Sequence, residues 1–186
     1  MSTIIAPQTW GTIEYYRVIN NQDCLFNKHE NYQKRSFRNR FYILTANGAK
    51  SLSIPLKKGK NKQLSIIDVE IAYHDNWEKN HLNAIKSAYG KSPFFEHYFP
   101  LILEVYKQKH ALLFDFNLKT FNVVNEILNL NKAENYTQFY QPNTKIDFKK
   151  PANPYPQVFE YKYGFVPIPS ILDLIFCCGP EAILYL

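Results

Sequence analysis

The apolar positions of the first 75 residues come in short runs broken by polar turns, which is the rhythm of strands. Thr3-Ile4-Ile5-Ala6 stops at Pro7 and predicts a first buried strand. Trp10, Ile13, Tyr16 and Arg17 or Val18 recur at near-helical spacing, so 10–19 predicts a helix whose start Gly11 and Thr12 weaken. Asn20-Asn21-Gln22-Asp23 reads as a turn, and Cys24-Leu25-Phe26 as a second strand. Strand, helix and strand in that order favour a parallel pair. Phe41–Thr45 and Lys50–Ile54 flank Ala46-Asn47-Gly48-Ala49. Asn-Gly between β-type runs marks a hairpin, since both residues tolerate positive φ. Lys57–Lys62 is a polar loop, and the alternation of Ile67, Val69, Ile71 and Tyr73 predicts a strand over Ile66–Tyr73.

From Asn76 onward the period lengthens to that of a helix. Asp75 or Asn76 can cap a helix that reaches Tyr89 and stops at Gly90. Ser92-Pro93 caps the next helix, which Pro100 kinks or restarts. Leu112, Leu113, Phe116, Phe121, Val124, Ile127 and Leu128 outline another amphipathic helix. Residues 131–156 carry many Asn, Lys and Pro and read as an irregular excursion. Phe159–Phe165 and Ile171–Phe176 are apolar again and predict an arm that packs back on the body, because such surface left in water would aggregate. The expected fold class is α/β: a single domain over 1–186, with a mixed β-sheet in the N-terminal part, a mainly helical C-terminal half and a C-terminal packing arm. The α/β body would span about 1–130, the excursion 131–156 and the arm 157–186.

Composition narrows the class without choosing a function. A chain of 186 residues, 46% hydrophobic and 16% aromatic, folds around one substantial core and is not disordered. Its net charge of +6 can attract nucleic acid, anionic lipid or phosphorylated small molecules. Cys24 stands alone and Cys177 adjoins Cys178, so no disulfide framework is expected and a reducing compartment is. No secretory signal is legible, and no apolar run reaches the ~20 residues that span a bilayer. A cytoplasmic protein without a membrane span is the expectation. No Walker loop, GxGxxG, G-x-S-x-G or nucleic-acid motif occurs, and no His/Cys set has metal spacing. Neither metal, cofactor nor specific nucleic acid is therefore implied.

Two clusters carry candidate chemistry. His29-Glu-Asn-Tyr-Gln-Lys-Arg-Ser-Phe-Arg-Asn-Arg40 follows a predicted strand, where open α/β sheets place ligands, and is rich in groups that grip carboxylates and phosphates. Lys34, Arg38 and Arg40 are its anion-binding candidates, with Asn31 and Asn39 as hydrogen-bond partners and His29 as an acid–base group. The plainer reading is a solvated basic loop, and a third makes Arg38 a structural ion pair with Glu30, Asp68 or Glu70. The second cluster is Trp77, His81, Ile85 and Tyr89, four residues apart and so on one helix face. Such a stripe reads either as core or as a face where His81 moves a proton and Trp77 and Tyr89 meet a sugar or base.

The basic segment, with Thr45-Ala-Asn-Gly48, Ile54-Pro55, Asn76-Trp77, His81 and Ala88-Tyr89, resembles the WbqC-like family. Ser92-Pro-Phe-Phe95, Leu113-x-Asp-x-Asn117, Gly179-Pro180 and Tyr185-Leu186 fit a branch of it. The resemblance implies a role in surface-polysaccharide (O-antigen type) biosynthesis, and together with the basic segment it leads to the expectation of a transferase acting on a phosphorylated or nucleotide-activated sugar. Many relatives carry His-Gln-Pro after the first strand, where this chain reads Ala6-Pro7-Gln8-Thr9-Trp10. A catalytic role would then fall on His29 or His81, with Lys34, Arg38 and Arg40 holding the anion. The alternative is a non-catalytic binding or scaffold protein whose basic segment meets an acidic protein partner.

Overall fold

The computed structural model describes residues 2–57, 64–147, 153–167 and 170–186. Two short sheets and a set of packed helices make an α/β fold. Strand β1 (Thr3–Ile5) leads through helix α1 (Ile13–Asn21) to β2 (Cys24–Phe26), which pairs parallel to β1 with Ile5 opposite Phe26. The α1 N-terminus is fixed by Thr12, whose side chain accepts from the Tyr15 N–H. Strands β3 (Arg40–Thr45) and β4 (Gly48–Ser53) form the antiparallel hairpin, closed at Asn47-Gly48, where Gly48 has φ +95°. The parallel and antiparallel pairs are separate two-stranded ladders, not one continuous sheet.

The stretch expected as a strand over Ile66–Tyr73 is instead a 3₁₀ turn at Ile66–Asp68 followed by isolated bridges. Val69 and Ile71 are buried as their alternation requires. The backbone, however, bonds 55–57 on one side and 111–113 on the other: Ala72 donates to Pro55 and Leu113 donates to Val69. Among the described residues, no neighbour stays in register long enough to make a ladder. Of the Lys57–Lys62 loop, all but Lys57 lies outside the described residues.

Helices α2 (Trp77–Tyr89), α3 (Phe95–Lys107) and α4 (Leu113–Ile127) follow. Asn76 occupies the N-cap of α2 in a left-handed conformation, without a side-chain cap bond. Ser92-Pro93, expected to cap the next helix, forms a turn before α3, whose N-cap is Phe94, and α3 runs unbroken through Pro100. Helices α5 (Glu160–Tyr163) and α6 (Ile171–Cys178) end the chain, with a 3₁₀ turn over Gly179–Tyr185. All eight residues of α6 are buried, against Tyr89 and Phe95 among others, so the C-terminal arm is part of the core. Gly179 turns the chain there at φ +54°, with the Phe94 ring where a Cβ would sit.

Candidate functional site

The parallel pair decides where a cleft can form. Beyond the carboxyl end of β2 the chain leaves as Asn27-Lys28-His29-Glu30, and beyond β1 as Ala6-Pro7-Gln8. Residues 135–144 run across this end. Phe26 donates to Asn135 and accepts from Thr137 on the β2 side, and Thr144 donates to Ile4 on the β1 side. Asn27 ties the crossing down, its Nδ2 donating to the Gln141 carbonyl at 2.6 Å and to Asn143 Oδ1 at 3.2 Å. Between this segment and residues 29–34 lies a cleft of about 800 Å3. Its position at the carboxyl ends of parallel strands is where such folds bind ligands.

His29, Asn31 and Lys34 line the cleft with Glu30, Tyr140 and Asn143. Lys34 and Asn31 are exposed. Asn31 also bridges to Ser65, and Tyr32 donates its N–H to Leu64, which pins the loop. His29 Nε2 is buried and meets no hydrogen-bond partner among the described residues. A buried ring nitrogen left open beside a cleft is a group that a ligand can complete.

Arg38 serves differently from its neighbours. Its Nε donates to Glu30 Oε1 at 2.6 Å and its Nη2 to Glu30 Oε2 at 2.5 Å, with 8% of Arg38 and 2% of Glu30 exposed. Asn143 Nδ2 also donates to Glu30 Oε2. The pair cancels its own charge, so Arg38 is not a free cation, and of the two it is Glu30 that lines this cleft. The Arg38 carbonyl accepts from Asn117 Nδ2 at 2.7 Å and from Thr9 Oγ1 at 2.8 Å, both buried. Asn39 is a staple: Tyr32 Oη donates to its Oδ1, and its Nδ2 donates to the Ile54 carbonyl. Arg40 reaches across the hairpin to Ser53 Oγ at 3.3 Å.

The stripe of α2 lies elsewhere. Trp77, His81 and Tyr89 are buried in the core and line neither this cleft nor the one beside Arg38. Both nitrogens of His81 are engaged. Nε2 must donate to the Ser53 carbonyl at 3.2 Å, since that oxygen can only accept, which leaves Nδ1 to accept from Tyr106 Oη at 3.3 Å. Tyr106 Oη in turn accepts from Trp10 Nε1 at 3.0 Å. Burial pushes the imidazole down to about 4, and the bond to Ser53 only partly opposes it. His81 is a neutral core histidine. Trp77 donates to the Ala72 carbonyl, and Tyr89 Oη accepts from the Leu44 N–H.

Tyr140 and Asn143 were not among the residues the sequence singled out. They belong to the stretch read as an excursion, whose Asn and Pro residues carry turn chemistry and no periodicity. Among the described residues, no group of three or more His, Cys, Asp or Glu is placed to hold a metal ion. No helix of the described residues is long and apolar enough to cross a membrane. The family model described as WbqC-like protein family matches residues 7–138 and 132–185, most of the chain. No curated protein and no solved structure matches it.

Proposed function

We propose, from the premise that the chain belongs to the WbqC-like protein family, that it binds a phosphorylated or nucleotide-activated sugar in the cleft at the carboxyl end of β1 and β2. On this reading it serves surface-polysaccharide biosynthesis as a transferase. The observation that carries the reading is the unpartnered His29 Nε2, buried in the wall of the cleft that Lys34 and Asn31 also line. Lys34 supplies the positive charge for the phosphate, and Asn31 a neutral hydrogen-bond partner. In the transfer step the attacking hydroxyl of the acceptor gives its proton to His29 as the phosphate leaves the sugar.

The test is thermal unfolding of the wild type and of Lys34→Ala against sugar nucleotides, sugar phosphates and inorganic phosphate. A ligand at about 100 times its Kd adds about 2.7 kcal/mol to the stability of the folded state. Because Lys34 is exposed, its removal leaves the ligand-free midpoint in place and reduces the ligand-induced shift. A wild-type protein that stays folded and shifts with none of these compounds overturns the reading and favours an acidic protein partner.

A further inference from the structure

A second cleft, of about 560 Å3, adjoins the first, and the two share Gln33 and Asn143. Its wall includes Tyr15, Arg38, Ile5, Phe37 and Ile146. Tyr15 is 1% exposed, and its hydroxyl has no hydrogen-bond partner among the described residues. Such hydroxyls are uncommon in folded proteins unless something else completes them. The Glu30–Arg38 pair lies near enough to act on this phenol, and burial keeps it protonated, hence a donor.

The character of this wall differs from that of the first cleft. Arg38 spends its charge on Glu30, so outside that pair the charged side chain of this wall is Lys145, which is exposed. The groups around Tyr15 are otherwise neutral: its phenol, side-chain amides and hydroxyls such as those of Gln33, Asn143 and Thr144, and the apolar faces of Ile5, Phe37 and Ile146. Neutral donors and acceptors set among apolar carbon match a molecule with hydroxyls at its rim and C–H faces between them.

We propose that the second cleft seats the uncharged, hydroxyl-rich part of a bipartite ligand whose phosphate lies in the first, with the Tyr15 hydroxyl donating to one of its oxygens. This rests on reading the first cleft as the anion site. Asn143 stands at the junction and positions both parts, through its contacts with Glu30 and Asn27.

Titration calorimetry with inorganic phosphate and a panel of hexose 1-phosphates tests it. The wild type is expected to bind at least one hexose 1-phosphate more tightly than inorganic phosphate. Tyr15→Phe is expected to lower that affinity by about 5-fold, the worth of a neutral hydrogen bond, with phosphate binding unchanged. Ile146→Trp, which crowds the cleft from its half-buried edge, should abolish the preference for the sugar phosphate in the same way. Hexose 1-phosphates that bind no better than phosphate, or variants that leave the preference intact, overturn the second seat while the anion reading stands. A wild type that binds neither class overturns the second seat, and one that sugar nucleotides also fail to stabilise overturns the anion reading with it.

Discussion

Arg38 clasps Glu30 at two points, 2.6 and 2.5 Å, across eight residues of chain and almost out of reach of solvent. The clasp closes the loop between β2 and β3 and sets the floor on which the clefts rest. One arginine is turned inward, while Lys34 stays exposed.

Arg38→Ala leaves a buried carboxylate without its partner, so it should lower unfolding stability by about 3–5 kcal/mol. Replacing both partners, Glu30→Leu with Arg38→Met, should cost clearly less than the sum of the single changes, because neither charge is then stranded. Urea unfolding of the four proteins measures this. Additive losses would mean that the pair is not coupled.

Asn117 is fully buried and joins three parts of the chain. Its Nδ2 donates to the carbonyls of Arg38 and Pro7, and its Oδ1 shares the single proton of Thr9 Oγ1 with the Arg38 carbonyl. Asn117→Ala strands these groups and should cost about 3 kcal/mol. Urea titration gives the value, and a change under 1 kcal/mol would count against the network.

His81 makes stability depend on pH in a defined window. The unfolded chain takes up this proton near 6.5, the folded chain only near 4. Between those values the unfolded state binds more protons, so stability falls as pH falls from about 6.5 to about 4. At about 1.4 kcal/mol per pKa unit, the full loss is about 3 kcal/mol. His81→Gln keeps a donor for the Ser53 carbonyl without a titrating group, and its stability should decline less over that interval. Parallel curves for the two proteins from pH 7 to 4 would show that His81 does not titrate there.

Gly179 combines a left-handed backbone with a crowded surface. An added Cβ would lie 2.4 Å from the Phe94 ring, at φ +54°. Gly179→Ala should therefore cost at least about 2 kcal/mol, visible as a lowered melting midpoint. Pairing it with Phe94→Leu should recover part of the loss, and no recovery would assign the whole effect to the backbone.

The second strand, the hairpin and the helix from Trp77 to Tyr89 were legible in the sequence. Each is written in local periodicity and in turn residues such as Asn47-Gly48. The basic segment was equally visible as a place of interest. The role of each side chain in it was not. Whether Arg38 meets a ligand or Glu30, and whether His81 faces a cleft or the core, depends on contacts that no periodicity encodes. The strand expected over Ile66–Tyr73 failed for a related reason: burial follows from alternation, but a ladder needs a neighbour in register.

By itself the sequence determined the local elements, the apolar faces they bury and the motif set that carries the family resemblance. These follow from the steric preferences of neighbouring residues and the transfer of apolar surface from water. Only the tertiary structure decided the site. Thr144 meets Ile4 across 140 residues of chain, and that crossing brings Asn143 to Glu30 and closes both clefts over the parallel pair. Such closure is set by how the whole chain packs, since contacts this distant along the sequence leave no periodic trace in it.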